Sequence, residues 1–258
     1  MRLGQNFLAD TNLLEAIVRD AAPQPGDVVL EVGGGEGALT AKLAPRVATV
    51  HVIELDQRLG PALGSVAAEH SNVQLHFADA MRFDFGELSP APNRMVANLL
   101  YSIATPLILR TVDELPELES WTLMVQREIA DRLRAQPGSR LYGSPSAVVQ
   151  LACEVRLLRG VDRAVFTPRP RVDSALISLR RIGPPASPHV TRLIRDGFAH
   201  RRKSLARSLD HARPGVRDMA RQALVELELP PDARAEQLTP GEFVALADRL
   251  PAPAQGVA

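Results

Sequence analysis

The chain has one cysteine, two lysines, only 4% aromatic residues and no excess of charge of either sign. A lone Cys153 excludes an internal disulfide and a cysteine-based metal cluster, and its expected place is a small buried apolar site in a reducing compartment. Lys+Arg and Asp+Glu each number 30, so the formal net charge is zero. That excludes a uniformly basic nucleic-acid coat and an acidic tail protein. No run approaches the roughly 18 apolar residues needed to cross a bilayer; the candidate at 95–109 is interrupted by Asn98, Ser102, Thr105 and Pro106. The opening MRLGQNFLAD lacks the apolar core of a secretion signal. These absences predict a cytoplasmic protein with no membrane contact. The scarcity of lysine matches the Arg, Ala and Pro bias of a high-GC coding sequence and carries no functional meaning.

What is present is ordinary globular material, 45% hydrophobic and 23% charged over 258 residues, enough for one large domain or one with a small appendage. Asp10 or Thr11 is placed to cap a helix whose apolar positions Leu13, Leu14, Ile17, Val18 and Ala21 recur at helical spacing. Short β-branched or aliphatic runs follow at 28–32, 49–53, 73–77, 95–97 and 123–125, separated by helix-length segments. Strands alternating with helices predict a mostly parallel sheet in an α/β fold. Runs at 148–158 and 174–179 flank the Pro-rich FTPRPRVDS and are expected to add an antiparallel edge. Gly183, Pro184, Pro185 and Pro188 read as a linker, and beyond them apolar and basic residues alternate at helical spacing. The expected domains are therefore 1–182 and a small all-helical 183–258.

Chemistry concentrates at the strand ends. Glu31-Val-Gly33-Gly-Gly35-Glu-Gly37 follows a strand and precedes a helix, so its backbone can bend sharply and let a nucleotide-like cofactor approach without meeting a Cβ. The motif alone is ambiguous, because Gly33, Gly35 and Ala38 also satisfy a dinucleotide fingerprint. Glu54 ends the next strand, where an acid accepts hydrogen bonds from ribose hydroxyls, and Asp79 ends the third, where a carboxylate can meet an adenine amino group. Asn98-Leu99-Leu100-Tyr101 follows the fourth and offers an amide and an aromatic to a flat base. Ligands bind that carboxyl edge in open α/β sheets.

Eight segments in order, Gly4 to Leu8, Glu31 to Gly37, Val52 to Asp56, Asp79 to Met81, Asn98 to Tyr101, Gln126 to Leu133, Phe166 to Ser174 and Phe198 to Ser204, together resemble the KsgA (RsmA) family of ribosomal RNA adenine dimethyltransferases. The resemblance implies a Rossmann-like class I methyltransferase sheet and S-adenosylmethionine contacts from Asn6, Leu8, Gly33, Gly35, Glu54, Asp79 and Asn98. It places Asn98 to Tyr101 on the family's catalytic Asn-Leu-Pro-Tyr motif and Phe166 on its second base-stacking aromatic. The implied substrate is N6 of two adjacent adenosines near the 3′ end of 16S rRNA in an immature 30S subunit, each receiving two methyl groups. A monomer without metal is expected. Leu100 stands where the motif has proline, which removes a constraint on the Leu99 carbonyl. The chain also starts almost at Gly4, without the basic leader many family members carry.

Competing readings are a Rossmann oxidoreductase, which leaves Asn98 to Tyr101 unexplained, a small-molecule methyltransferase, and a related 23S rRNA dimethyltransferase. A non-enzymatic assembly factor that has lost turnover through Leu100 is the remaining one. The neutral total also hides a polarity: residues 180–221 hold eleven basic side chains against three acidic ones, a net of +8. Arg201, Arg202, Lys203 and Arg207 are the expected phosphate contacts, giving strongly salt-dependent RNA binding.

Overall fold

The structure, a computed structural model, describes residues 7–8 and 10–252. The chain forms two compact units, Met1–Ala130 with Glu154–Arg181, and Asp131–Cys153 with Ile182–Ala258.

The first unit opens with β1 (Phe7–Leu8) and α1 (Thr11–Ala21). The Asp10 side chain accepts from Leu13 N at 3.0 Å to start α1, and Ala22 ends it in the left-handed conformation before Pro23. Leu14, Ile17, Val18 and Ala21 form its buried stripe. There follow β2 (Val28–Val32), α2 (Ala38–Leu43), β3 (Thr49–Glu54), α3 (Gly60–Glu69), β4 (Val73–Phe77), β5 (Arg94–Asn98), α4 (Ala104–Glu114) and β6 (Ser120–Gln126). After α5 (Arg127–Leu133) and α6 (Ser144–Ala152) come β7 (Cys153–Val161), β8 (Phe166–Thr167) and β9 (Ser174–Arg181). The seven-stranded sheet has the order β4-β3-β2-β5-β6-β9-β7, and β1 pairs separately with β8. Strands β4 to β6 run parallel, and β9 lies antiparallel to β6 over seven residue pairs. Every residue of β2 and β3 is buried, as expected for strands covered on both faces.

The order decides where a ligand can sit. From β2 the chain moves outward to β3 and β4, then returns to the other side of β2 as β5. The carboxyl ends of β2 and β5 therefore border a topological switch point, the crevice that open parallel sheets use for ligands.

The second unit contains α6, α7 (Pro188–Phe198), α8 (Leu205–Ala212), α9 (Arg217–Glu226) and α10 (Pro240–Ala247) around a separate core with Tyr142, Leu193, Ile194, Phe198, Leu209, Leu224 and Phe243. Two expectations change here. The run 148–158 is not one strand: helix α6 ends at Ala152 and β7 starts at Cys153. Ser144 and Pro145 begin α6, the Ser146 hydroxyl takes Gly143 N at 3.1 Å, and a short continuous apolar run has no periodicity to separate helix from strand. Residues 131–153, expected within the first domain, pack with the helices, because Tyr142 and Ala147 are fully buried in the second core. Cys153 is buried, as read from the sequence.

Gly34 carries the tightest packing of the loop after β2. A Cβ there would lie 2.4 Å from Val52 Cγ1 and 3.1 Å from Leu63 Cδ2, whereas one on Gly26 would meet nothing within 4 Å. Gly34→Ala is expected to cost about 1–3 kcal/mol in urea unfolding, with Gly26→Ala within about 0.5 kcal/mol of wild type. Equal midpoints for the two variants would contradict this packing.

Candidate active site

The loop after β2 turns through three left-handed glycines, Gly33 (φ +81°), Gly35 (φ +58°) and Gly37 (φ +84°), which a side chain would strain. Gly33 N donates to Ile53 O at 2.8 Å, tying the loop to β3. Glu54, 4% exposed, braces it: Oε2 accepts from Gly35 N at 3.0 Å and Oε1 from Asp56 N at 2.8 Å. Beneath it Glu31 is 1% exposed and accepts from the Thr40 hydroxyl at 2.7 Å. Burial, reinforced by the Glu54 charge and opposed by the Thr40 hydrogen bond, pushes the Glu31 carboxyl up to about 8.

Asn98 ends β5 directly across the switch point. A Cβ on Gly33 would lie 3.7 Å from the Asn98 carbonyl oxygen, so the glycine loop and the Asn98 segment are neighbours. Leu99 is buried and its N–H donates to Met124 O at 3.1 Å, which anchors the segment on β6. Half-buried Tyr101 places its hydroxyl 2.6 Å from the Ser174 hydroxyl, itself buried at the start of β9. Asp79 follows β4, half-buried, with Oδ1 accepting from Met81 N at 2.9 Å and Arg82 Nε 3.9 Å from Oδ2.

The other expected residues are Leu8, Asn6 and Phe166. Leu8 lies in β1 opposite Phe166, and Asn6 lies outside the described residues. Phe166 is 3% exposed and belongs to the buried cluster with Leu14, Val96, Met124 and Leu176, so it offers no open face to a base. Sequence reasoning missed Leu55 and Phe77, which are 48% and 39% exposed at the ends of β3 and β4. Their signal was an apolar residue held beside acids at a strand end, as in Glu54-Leu55-Asp56.

In the helical unit Arg202, Lys203, Arg207, Arg217, Arg221 and Arg234 line a groove of about 420 Å³ that also contains Asp232. Arg201 does not join them. Its Nη2 donates to Arg140 O (3.1 Å) and Tyr142 O (3.0 Å) and pairs with Glu236 (3.1 Å), which makes it a strut of that unit. Arg180 and Arg181 are also spent on structure, on Glu154 and on the carbonyls of Leu118, Val112 and Leu115. No group of three or more metal-ligating side chains occurs among the described residues, and none of their helices is long and apolar enough to cross a membrane.

The family model described as ribosomal RNA adenine dimethylase matches residues 1–251. The chain belongs to that family. Members similar to it include ribosomal RNA small subunit methyltransferase A of Rubrobacter xylanophilus, 45% identical with 96% of this chain and 94% of the relative covered, and that of Thermobifida fusca, 40% identical with 96% and 89% covered. Among solved structures, a dimethyladenosine transferase from Plasmodium falciparum superposes with a TM-score of 0.80 at 26% identity, covering 93% of this chain and 95% of that one. The 23S rRNA methyltransferase ErmE superposes at 0.69 with 29% identity, covering 95% and 99%. The fold is thus that of Rossmann-like rRNA methyltransferases with a C-terminal helical region.

Within this family member, two carboxyls, Glu31 and Glu54, lie under one loop. The folded chain holds the Glu31 proton up to about pH 8, against an ordinary value of 4.5. Between those limits the folded state binds the extra proton, so stability falls as pH rises through the window and levels off above it. Glu31→Gln keeps an acceptor for Thr40 and removes the titration, so the decline in urea midpoint between pH 5 and pH 8 should flatten. An undiminished decline in the variant would contradict the buried proton.

Proposed function

We propose that this chain transfers methyl groups from S-adenosylmethionine to N6 of two adjacent adenosines near the 3′ end of 16S rRNA in an immature small ribosomal subunit, two methyls to each. The observation that carries the reading is the adjacency of Gly33 and the Asn98 carbonyl across the switch point. It gives donor and acceptor one crevice.

The residues at that crevice fit S-adenosylmethionine. Gly33 leaves open a cradle that a Cβ would narrow, and each Glu54 oxygen keeps a lone pair beyond its backbone bond for a ribose hydroxyl. Asp79 is half-exposed for an adenine amino group, and exposed Leu55 supplies an apolar flank. Glu31 stays beneath, neutral, and adds no repulsion to Glu54. When bound, S-adenosylmethionine supplies a methyl already activated on a cationic sulfur.

The protein's task is then to hold a poor nucleophile, because the adenine amino lone pair is delocalised into the ring. The Asn98 side-chain oxygen and the Leu99 carbonyl accept the two N6 hydrogens, which localises the lone pair and aims it. Leu99 can hold that position because its N–H is fixed on Met124 O. Tyr101 stacks on the extruded base, worth about 1–3 kcal/mol, with its ring orientation set by Ser174. Buried Phe166 backs the core and is not carried into the mechanism as a stacking partner. The methylated amine is cationic and strongly acidic, and its proton passes to solvent. Among the described residues no backbone carbonyl accepts from Leu100 N, so the family's proline would forfeit no backbone hydrogen bond there.

The basic groove supplies the grip on RNA. Arg202, Lys203, Arg207, Arg217, Arg221 and Arg234 contact phosphates, and Arg201 maintains the fold that presents them.

Methyl transfer from labelled S-adenosylmethionine to immature small subunits is expected to fall about 100-fold or more in Asn98→Ala with RNA affinity retained. Equal rates for the two proteins would overturn the catalytic assignment. Because the Leu99 N–H is already fixed on Met124 O, Leu100→Pro is expected to leave kcat within about twofold of wild type, and a larger gain would show that Leu100 leaves the Leu99 carbonyl loose. In salt titrations Arg217→Ala with Arg221→Ala should reduce the binding slope by about 2, whereas Arg201→Ala should lower thermal stability with the slope kept. The reverse pattern would return Arg201 to the RNA contact set.

A further inference from the structure

Residues 168–173, Pro-Arg-Pro-Arg-Val-Asp, between β8 and β9 play no part in the mechanism so far. The segment is held stiffly. Pro168 and Pro170 fix their own φ, Arg163 Nη1 donates to Arg171 O at 3.0 Å, and Arg127 N donates to Asp173 O at 3.0 Å. Ser174 follows, buried, with its hydroxyl 2.6 Å from that of Tyr101. Val172 is two residues away, so its Cα lies within about 7 Å of the Ser174 Cα.

Yet Val172 is 45% exposed, and Arg169 and Arg171 beside it are exposed as well. Among the described residues Arg169 pairs with Asp162 alone, at 3.9 Å, and no acceptor meets the Arg171 guanidinium. An isolated exposed valine has no meaning. One presented on a braced loop, beside two exposed guanidinium groups and two residues from the serine that holds the catalytic tyrosine, has the components of a nucleic-acid wedge. Arginine forks hold phosphates in two-point contacts, and apolar side chains fill the gap that a displaced base leaves in its stack.

We infer that residues 169–172 form a second RNA-contact element at the mouth of the catalytic crevice. Arg169 and Arg171 hold the phosphates flanking the target adenosine, and Val172 packs into the stack that the adenosine vacates. This rests on the reading of the crevice as an RNA adenosine methylation site. It assigns to the loop a role in base extrusion, separate from overall affinity, which belongs to the helical groove.

The test is steady-state methyl transfer to immature small subunits, with particle affinity and thermal midpoint measured on the same proteins. Val172→Asn is expected to lower kcat about tenfold with affinity within about twofold and the midpoint unchanged, because the wedge acts after binding. Val172→Ile, which keeps the apolar surface, should recover most of that loss. Arg171→Ala should raise KM about three- to tenfold and reduce the salt slope by about 1. If Val172→Asn and Arg171→Ala both match an active wild type, the wedge is overturned and the methylation reading stands. If wild type and Asn98→Ala are equally silent, the methylation reading itself fails and the wedge with it.

Discussion

The switch point between β2 and β5 is the constraint on which the site depends. Two parallel strands paired at Val29 with Arg94 and Leu30 with Met95 send their chains to opposite sides of the sheet, and the crevice between their carboxyl ends is a consequence of topology. The chain must turn there without side chains, hence the three left-handed glycines. It must also be braced there, hence a carboxylate on the neighbouring strand bonded to Gly35 N. The brace has an electrostatic consequence. Glu31 is buried near Glu54 and keeps its proton, so the loop rests on one charge rather than two.

Much of this was legible from residues alone, for a physical reason. Strands buried on both faces must be apolar along most of their length, so β2 was read to the residue and β3, β5 and β6 only had their ends extended; β4, partly exposed at the sheet edge, was also read to the residue. The Asn98 segment was legible as a motif, but its position beside Gly33 was not, because nothing local encodes a pairing 65 residues apart. Helix α6 was misread because its strand-like composition is decided by burial in a core built from distant helices. Phe166 shows the same limit from the other side: an aromatic in a motif does not reveal whether its face is open.

Charge was the property most easily misread. The total of zero concealed an imbalance, but the run from 180 to 221 overstated it, since Arg180, Arg181 and Arg201 satisfy carbonyls and carboxylates within the fold. Counted by unit, Asp131–Cys153 with Ile182–Ala258 holds fourteen basic and ten acidic side chains, a net of +4, and the remainder holds sixteen and twenty, a net of −4. What matters is concentration: six cations share one groove with one aspartate. Arg217 and Arg221 join it from α9, and Arg234 from the loop that follows, so no single linear motif announced the set.

The central claim is that one crevice serves methyl donor and adenosine, and that the adenosines are those near the 3′ end of the small-subunit rRNA. Mass spectrometry of that rRNA end, from cells with and without this gene, tests it most directly. Two adjacent dimethylated adenosines present only when the gene is present are the expected result; the same adenosines unmodified, or modified equally in both, would contradict it.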